Sequence, residues 1–178
     1  EEVKVYTLNA DFFKEIDSAR SFQYGLEATY NDVQSKAHSE NIKDSTLGYA
    51  SSRYPDGGSV TQSYSAYLSY KWHLSNKLLF NSGVRYSQVI LASVFNDTTT
   101  YKFPFDKISI NTGAFNGSLG LVARVSPAWQ FNIAASTGFR APNVDDYGKV
   151  FGKDSDVMVP NDKLVPEYVY NVEFGITK

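Results

Sequence analysis

The sequence predicts an all-β fold, an antiparallel up-and-down section of a transmembrane β-barrel with about seven strands. Three observations predict it. Apolar and polar side chains alternate at period two over repeated segments. The chain carries 13 Tyr, 12 Phe and 2 Trp, residue types that favour pleated sheet over helix. The connections between segments are alternately tight and long, as in a barrel with short turns at one rim and long loops at the other.

A first strand over residues 3–13 has Tyr6, Leu8, Ala10 and Phe12 in phase. The second places Phe22, Tyr24, Leu26, Ala28 and Tyr30 on one face against Gln23, Gly25, Glu27, Thr29 and Asn31 on the other. The third opposes Tyr64, Ala66, Leu68, Tyr70, Trp72 and Leu74 to Ser63, Ser65, Tyr67, Ser69, Lys71 and His73, and the fourth sets Phe80, Ser82, Val84 and Tyr86 against Asn81, Gly83, Arg85 and Ser87. The fifth covers residues 115–125, with Phe115, Leu119 and Leu121 in phase, and the sixth residues 129–140, with Trp129, Phe131, Ile133 and Phe139 in phase. The seventh, over residues 167–177, sets Tyr168, Tyr170, Val172, Phe174 and Ile176 against Glu167, Val169, Asn171, Glu173, Gly175 and Thr177.

No apolar-phase position in the last six strands is Asp, Glu, Lys or Arg. A soluble sandwich also keeps charge off its inner faces, so the connections have to separate the two cases. Those near residues 16–21, 75–77 and 126–128 are tight, and those near 33–61, 91–114 and 141–165 are long. Up-and-down strands therefore put the tight turns on a periplasmic side and the long loops on an extracellular side. Aromatic residues gather toward both strand ends with Leu, Val, Ile and Ala between, the distribution expected of amphipathic rings at two headgroup regions. The polar phase, rich in Ser, Asn, Gly and Gln, suits a watery or plug-filled lumen. Seven strands close poorly, so residues 1–178 read as one partial barrel domain of a larger protein.

Composition limits the alternatives. With 17 basic and 19 acidic side chains the net charge is −2, which supplies no surplus to neutralise a nucleic-acid backbone. The absence of cysteine excludes disulfides and thiolate metal sites, and two histidines are too few for a histidine-rich centre. No run approaches the roughly 18 apolar residues of a membrane-spanning helix. The sequence Asn116-Gly117-Ser118-Leu119-Gly120 lacks the spacing of a nucleophile elbow and sits mid-strand, and neither histidine lies on an apolar phase beside a serine. The chain therefore reads as a non-enzyme, with no cofactor and no metal site.

One stretch carries a more specific signal. Ser136-Thr137-Gly138-Phe139-Arg140-Ala141-Pro142-Asn143 is followed by Val159-Pro160-Asn161-Asp162-Lys163-Leu164-Val165-Pro166-Glu167, then by Asn171-Val172-Glu173-Phe174-Gly175. Over roughly residues 115–178 the chain resembles the barrel of TonB-dependent outer-membrane receptors, which carry a Phe-Arg-Ala-Pro box, an Asn-Pro-x-Leu box and a Pro-Glu entry into a Glu-x-Gly strand. Asp162 stands where the family usually has proline. The resemblance implies a barrel of about 22 strands around an N-terminal plug. It further implies an outer-membrane location in a Gram-negative bacterium and import of a scarce ligand such as an iron-siderophore, haem, cobalamin or a glycan. The partners implied are outer-membrane lipid, the plug, the TonB complex acting through that plug, and a small-molecule or metal-chelate ligand. Phe139, Arg140, Ala141, Pro142, Asn161, Leu164, Pro166 and Glu167 are then motif residues of structural type.

Physical roles follow for several of these. Pro142 lacks a ladder donor and fixes its φ, so the strand ends there and Ala141 is extended. Arg140 has polar-phase parity and can pair with Glu167 or Glu173, or meet an anionic ligand. The ligand-facing candidates are Arg140, Tyr147, Tyr101, Tyr54 and His38, the last also a conceivable haem ligand. Residues 143–160 contain no histidine, which weighs against haem because haem receptors of this family typically carry one there. Asp145, Asp146, Asp154 and Asp156 read as solvated loop acids rather than a calcium loop, since EF-hand spacing is absent. Tyr49, Phe103 and Phe105 add rings suited to stacking on cargo or on one another. A passive porin or structural adhesin barrel, and more remotely a soluble β-sandwich binding module, are the competing classes.

Overall fold

The computed structural model describes residues 1–50, 52, 54–96, 105–148, 151–153, 156–161 and 163–178, with the side chains of 49, 151–153 and 156–158 left aside. In chain order the elements are β1 (Glu2–Asp17), β2 (Arg20–Gln34), β3 (His38–Glu40), β4 (Leu47–Tyr49), β5 (Ser59–Ser75), β6 (Leu78–Val94), β7 (Lys107–Ser126), β8 (Trp129–Arg140), α1 (Val144–Tyr147), β9 (Phe151–Lys153), β10 (Asp156–Met158) and β11 (Glu167–Thr177). The long strands form one seven-stranded sheet in the order β1-β2-β5-β6-β7-β8-β11, antiparallel throughout. It remains open, with β1 and β11 at its edges. The short strands pair as two loop hairpins, β3 with β4 and β9 with β10.

Register settles the two faces, because a slip of one residue would turn every side chain over. Each apolar phase read from the sequence meets its neighbour's: Leu8 faces Ala28, Leu26 faces Ala66, Leu68 faces Val84, Leu121 faces Ile133 and Val172 faces Ala135. The resulting face is exposed; Phe115 keeps 73% of its surface accessible. Toward the turns its rings meet as Phe22–Tyr70 at 4.8 Å and Phe131–Phe174 at 6.4 Å, and toward the loops as Tyr86–Phe115 at 4.8 Å and Phe139–Tyr168 at 5.6 Å.

The polar face carries its own cross-strand contacts. Arg85 donates to Glu27 and Tyr67 to Asp11, both over very short hydrogen bonds. Gly25 makes room for the second. A Cβ there would lie 2.6 Å from the Ala10 carbonyl oxygen and 2.7 Å from Cε1 of Tyr67, so the Tyr67 ring crosses over the glycine to reach β1.

The tight turns are residues 18–19, 76–77 and 127–128, and all three use one device. A side-chain oxygen accepts the N–H two residues on: Asp17 from Ala19 at 2.9 Å, Ser75 from Lys77 at 3.2 Å and Ser126 from Ala128 at 3.3 Å. Each turn also carries a register shift, between Glu15 and Asp17, His73 and Ser75, and Arg124 and Ser126. Such bulges increase local twist.

At the loop end the strands run further than the alternation predicts. β6 has 17 residues and β7 has 20, against the roughly 10 that cross an outer membrane. Beyond Tyr86 and Phe115 the faces exchange character. The formerly apolar face now carries Gln62, Gln88 and Asn111 beside Val60 and Ile90, and Gln88 donates to Asn111 at 2.5 Å. The formerly polar face carries Leu91, Ile108 and Ile110. These three, with Phe95 and Tyr147, form the buried hydrophobic cluster among the described residues, and Phe105, Val144 and Leu164 pack against it. These apolar side chains of the outer part of the wall thus gather beneath the loops, the surface there that removes them from water. That parity change ended the alternation expected in the fourth and fifth strands, so β6 continues to Val94 and β7 begins at Lys107, inside the connection of residues 91–114 that the sequence predicts.

Candidate functional site

The loop end of β8 assembles most of the sequence-derived site residues. Arg140 closes the strand opposite Glu167, its register partner on β11. Its Nη1 donates to Glu167 Oε1 at 3.2 Å, and Nη2 donates to both Asp146 oxygens at 2.8 and 2.7 Å. Of the two carboxylates the sequence offered, Glu167 and Glu173, the structure pairs Glu167 with Arg140; Asp146 is an additional one, because a loop residue has no register from which a partner can be read. Pro142 is buried just after the strand and begins the turn into α1.

α1 is a single turn with a complete capping box. Asn143 Oδ1 accepts the N–H groups of Asp145 at 2.8 Å and Asp146 at 3.0 Å, while Asp146 Oδ2 accepts the N–H of Asn143 at 3.0 Å. Asp146 therefore serves the cap and the Arg140 clamp together. The backbone N–H of Asn143, then Arg140, hold its carboxyl below the ordinary carboxylate range. Asp145 accepts from the Tyr54 hydroxyl at 2.9 Å, joining this loop to the first one.

Tyr147, the last residue of α1, is wholly buried. Its Oη and the Ser93 Oγ are 2.5 Å apart, and Ser93 Oγ donates to Ser59 Oγ at 2.7 Å. Burial pushes the phenol up to about 12. The second motif box completes the enclosure: the Asn161 N–H donates to the Tyr147 carbonyl at 3.0 Å, Leu164 packs on the cluster, and Asn161 Oδ1 accepts the Lys163 N–H at 2.9 Å. A cavity of about 230 Å³ between the boxes is lined by Arg140, Pro142, Asp146, Leu164, Val165 and Glu167.

Arg140, Tyr147 and Tyr54 are therefore brought together through α1. His38 stands apart, exposed on β3 and paired with Tyr49 on β4. Phe105 packs toward the cluster, its ring 6.1 Å from Phe95. Tyr101, Phe103, Asp154 and Asp162 lie outside the described residues, as do the side chains of Tyr49 and Asp156. Phe139 meets Tyr168 in a tilted ring contact at the apolar face, Ala141 and Pro166 are half-buried, and Glu167 is exposed. Ser59, Leu91, Ser93, Phe95, Ile108 and Ile110 were not singled out by the sequence. Val89 and Leu91, out of phase with Tyr86, were the one signal for them. Among the described residues no group of three or more His, Asp or Glu could hold a metal ion. Among the described residues no helix is long and apolar enough to cross a membrane, which says nothing of strands.

The family described as TonB dependent receptor-like, beta-barrel matches residues 2–177. Two solved structures share the fold. A copper transporter, OprC, superposes with a TM-score of 0.79 at 14% identity, over 98% of this chain and 27% of its own. The ferric yersiniabactin uptake receptor FyuA from Yersinia pestis does so with a TM-score of 0.60 at 17% identity, over 98% and 25%. The chain thus spans about a quarter of the length of either. No curated protein sequence matches it. With two-faced strands, tight turns at one rim, long loops at the other and a family match over almost its whole length, the chain belongs to the TonB-dependent receptor β-barrels.

Proposed function

We propose that this chain is barrel wall and external loops of a TonB-dependent transporter in the outer membrane of a Gram-negative bacterium. The observation that carries the reading is the exchange of faces at Tyr86 and Phe115. Below that level one face is suited to hydrocarbon; above it the same face turns to Gln and Asn, as a wall rising out of a bilayer must. The Glu27–Arg85 and Asp11–Tyr67 pairs then line the lumen, where a plug from elsewhere in the receptor and the TonB complex behind it complete the transport cycle.

The cargo class best supported is a metal ion or metal chelate, since two of its structural relatives are described as a copper transporter and a ferric yersiniabactin uptake receptor. Cargo contact falls to Tyr54 and His38 at the loop end, joined by Tyr101. Tyr147 and Arg140 support that surface from beneath, the first by packing and the second by its two carboxylates. The chemistry is non-covalent binding and release. Growth of a strain deleted for the intact receptor, supplied in turn with limiting copper, ferric siderophores, haem, cobalamin and glycans, tests the reading. A growth defect on one metal source, restored by the intact gene, is expected; unimpaired growth on all metal sources rejects the metal class.

A further inference from the structure

We propose that α1 is a strap fastened into the β6–β7 wall by Tyr147, and that this fastening also holds the first long loop, so that residues 54–58 and 141–148 open and close as one unit. A four-residue helix has no stability of its own in water, since isolated helices need about 12 residues or more to be even marginal. α1 persists through two sets of contacts, each depending on the other. Asn143, Asp146 and Arg140 fix its first turn. Tyr147 and Val144 are seated on Leu91, Phe95, Ile108 and Ile110. If Tyr147 leaves the wall, the cap has no helix to terminate; if the cap is lost, Tyr147 is no longer aimed at its socket.

The first loop is held by the same pieces. Tyr54 donates to Asp145. Pro55, wholly buried, lies against Gly148, where a Cβ would come 3.2 Å from Pro55 Cγ and 3.0 Å from the Val144 carbonyl oxygen. Gly57 and Gly58 exchange backbone hydrogen bonds with Val94 at 3.0 Å each, tying the loop to the top of β6. Ser59, at the start of β5, closes the chain of hydroxyls from Tyr147 through Ser93. The first and third loops thus meet the wall at one point rather than sampling the mouth separately.

The test uses the complete receptor in outer-membrane lipid, with any cysteines elsewhere in it removed; this segment has none. A reporter thiol, Ser52→Cys, sits in the first loop at a position now buried against Ser35. Its labelling by a membrane-impermeant maleimide is compared with that of Ser118→Cys on the polar face of β7. Tyr147→Ala is expected to speed labelling at position 52 on the order of a hundred-fold, the scale set by removing a buried aromatic side chain, and to leave position 118 unchanged. Tyr147→Phe, which keeps the packing and loses only the contact with Ser93, is expected to stay within about ten-fold of the parent. Unchanged labelling at 52 in Tyr147→Ala overturns the coupling. Equal acceleration at 52 and 118 overturns it too, by showing that Tyr147 holds the whole wall rather than a strap.

Discussion

The Tyr147 phenol can ionise only by placing a phenolate among Leu91, Phe95, Ile108 and Ile110, which is why its pKa rises to about 12. With the folded value above the ordinary value of 10.0, the stabilisation is complete below pH 10 and declines as pH climbs toward 12. A phenolate absorbance titration of parent against Tyr147→Phe is expected to differ by one late-ionising tyrosine; a difference centred near 10 shows the ring in water. At Asp146 the sign is opposite. Its lowered carboxyl pKa strengthens the Arg140 clamp above the ordinary value of 3.8, and that contribution disappears as pH falls through the lower folded value. Amide protection across residues 143–148, relative to the intrinsic exchange rate at each pH, is therefore expected to fall only below the ordinary carboxyl value of 3.8, and loss of protection near neutrality contradicts the clamp. Gly25 is a third single-residue constraint. Gly25→Val is expected to destabilise by about 1–3 kcal/mol, read as a lower urea midpoint for unfolding, because Tyr67 and the β1 backbone already fill the space.

At the level of single strands, the sign of a substitution depends on which face receives it. Leu121 and Ile133 are register partners on the apolar face, midway between the rings. Leu121→Arg or Ile133→Arg is expected to impair insertion by about 2–4 kcal/mol, whereas Ser118→Arg and Ser136→Arg on the opposite face are expected to be milder. Folding titrations into lipid vesicles measure both, and equal penalties contradict the assignment of faces. The same rule explains where the alternation became illegible. From Val89 in β6 and below Ala114 in β7 the loop cluster sets the pattern instead, so each strand changes parity along its length. A period-two reading cannot follow a strand through such a change.

Across the whole wall, lipid contact should map to one parity and lumen contact to the other on every strand at once. Spin labels at Leu68 and Val172 are expected to respond to oxygen dissolved in acyl chains, and labels at Ser69 and Asn171 to a water-soluble relaxer. Reversed responses reject the barrel reading. The seven strands, their neighbours and the tight turns were determined by the sequence, because alternation and turn chemistry act between residues close in the chain or directly opposed; for Arg140 the sequence left Glu167 and Glu173 open, and the register chose Glu167. Tertiary structure alone decided that Asp146 joins Arg140, that Tyr147 lies inside rather than facing cargo, and that Tyr54 and Pro55 are held by the third loop. Those contacts span dozens of residues through irregular loops without periodicity, so only the assembled wall, offering one dry surface above the membrane, selects which side chains it buries.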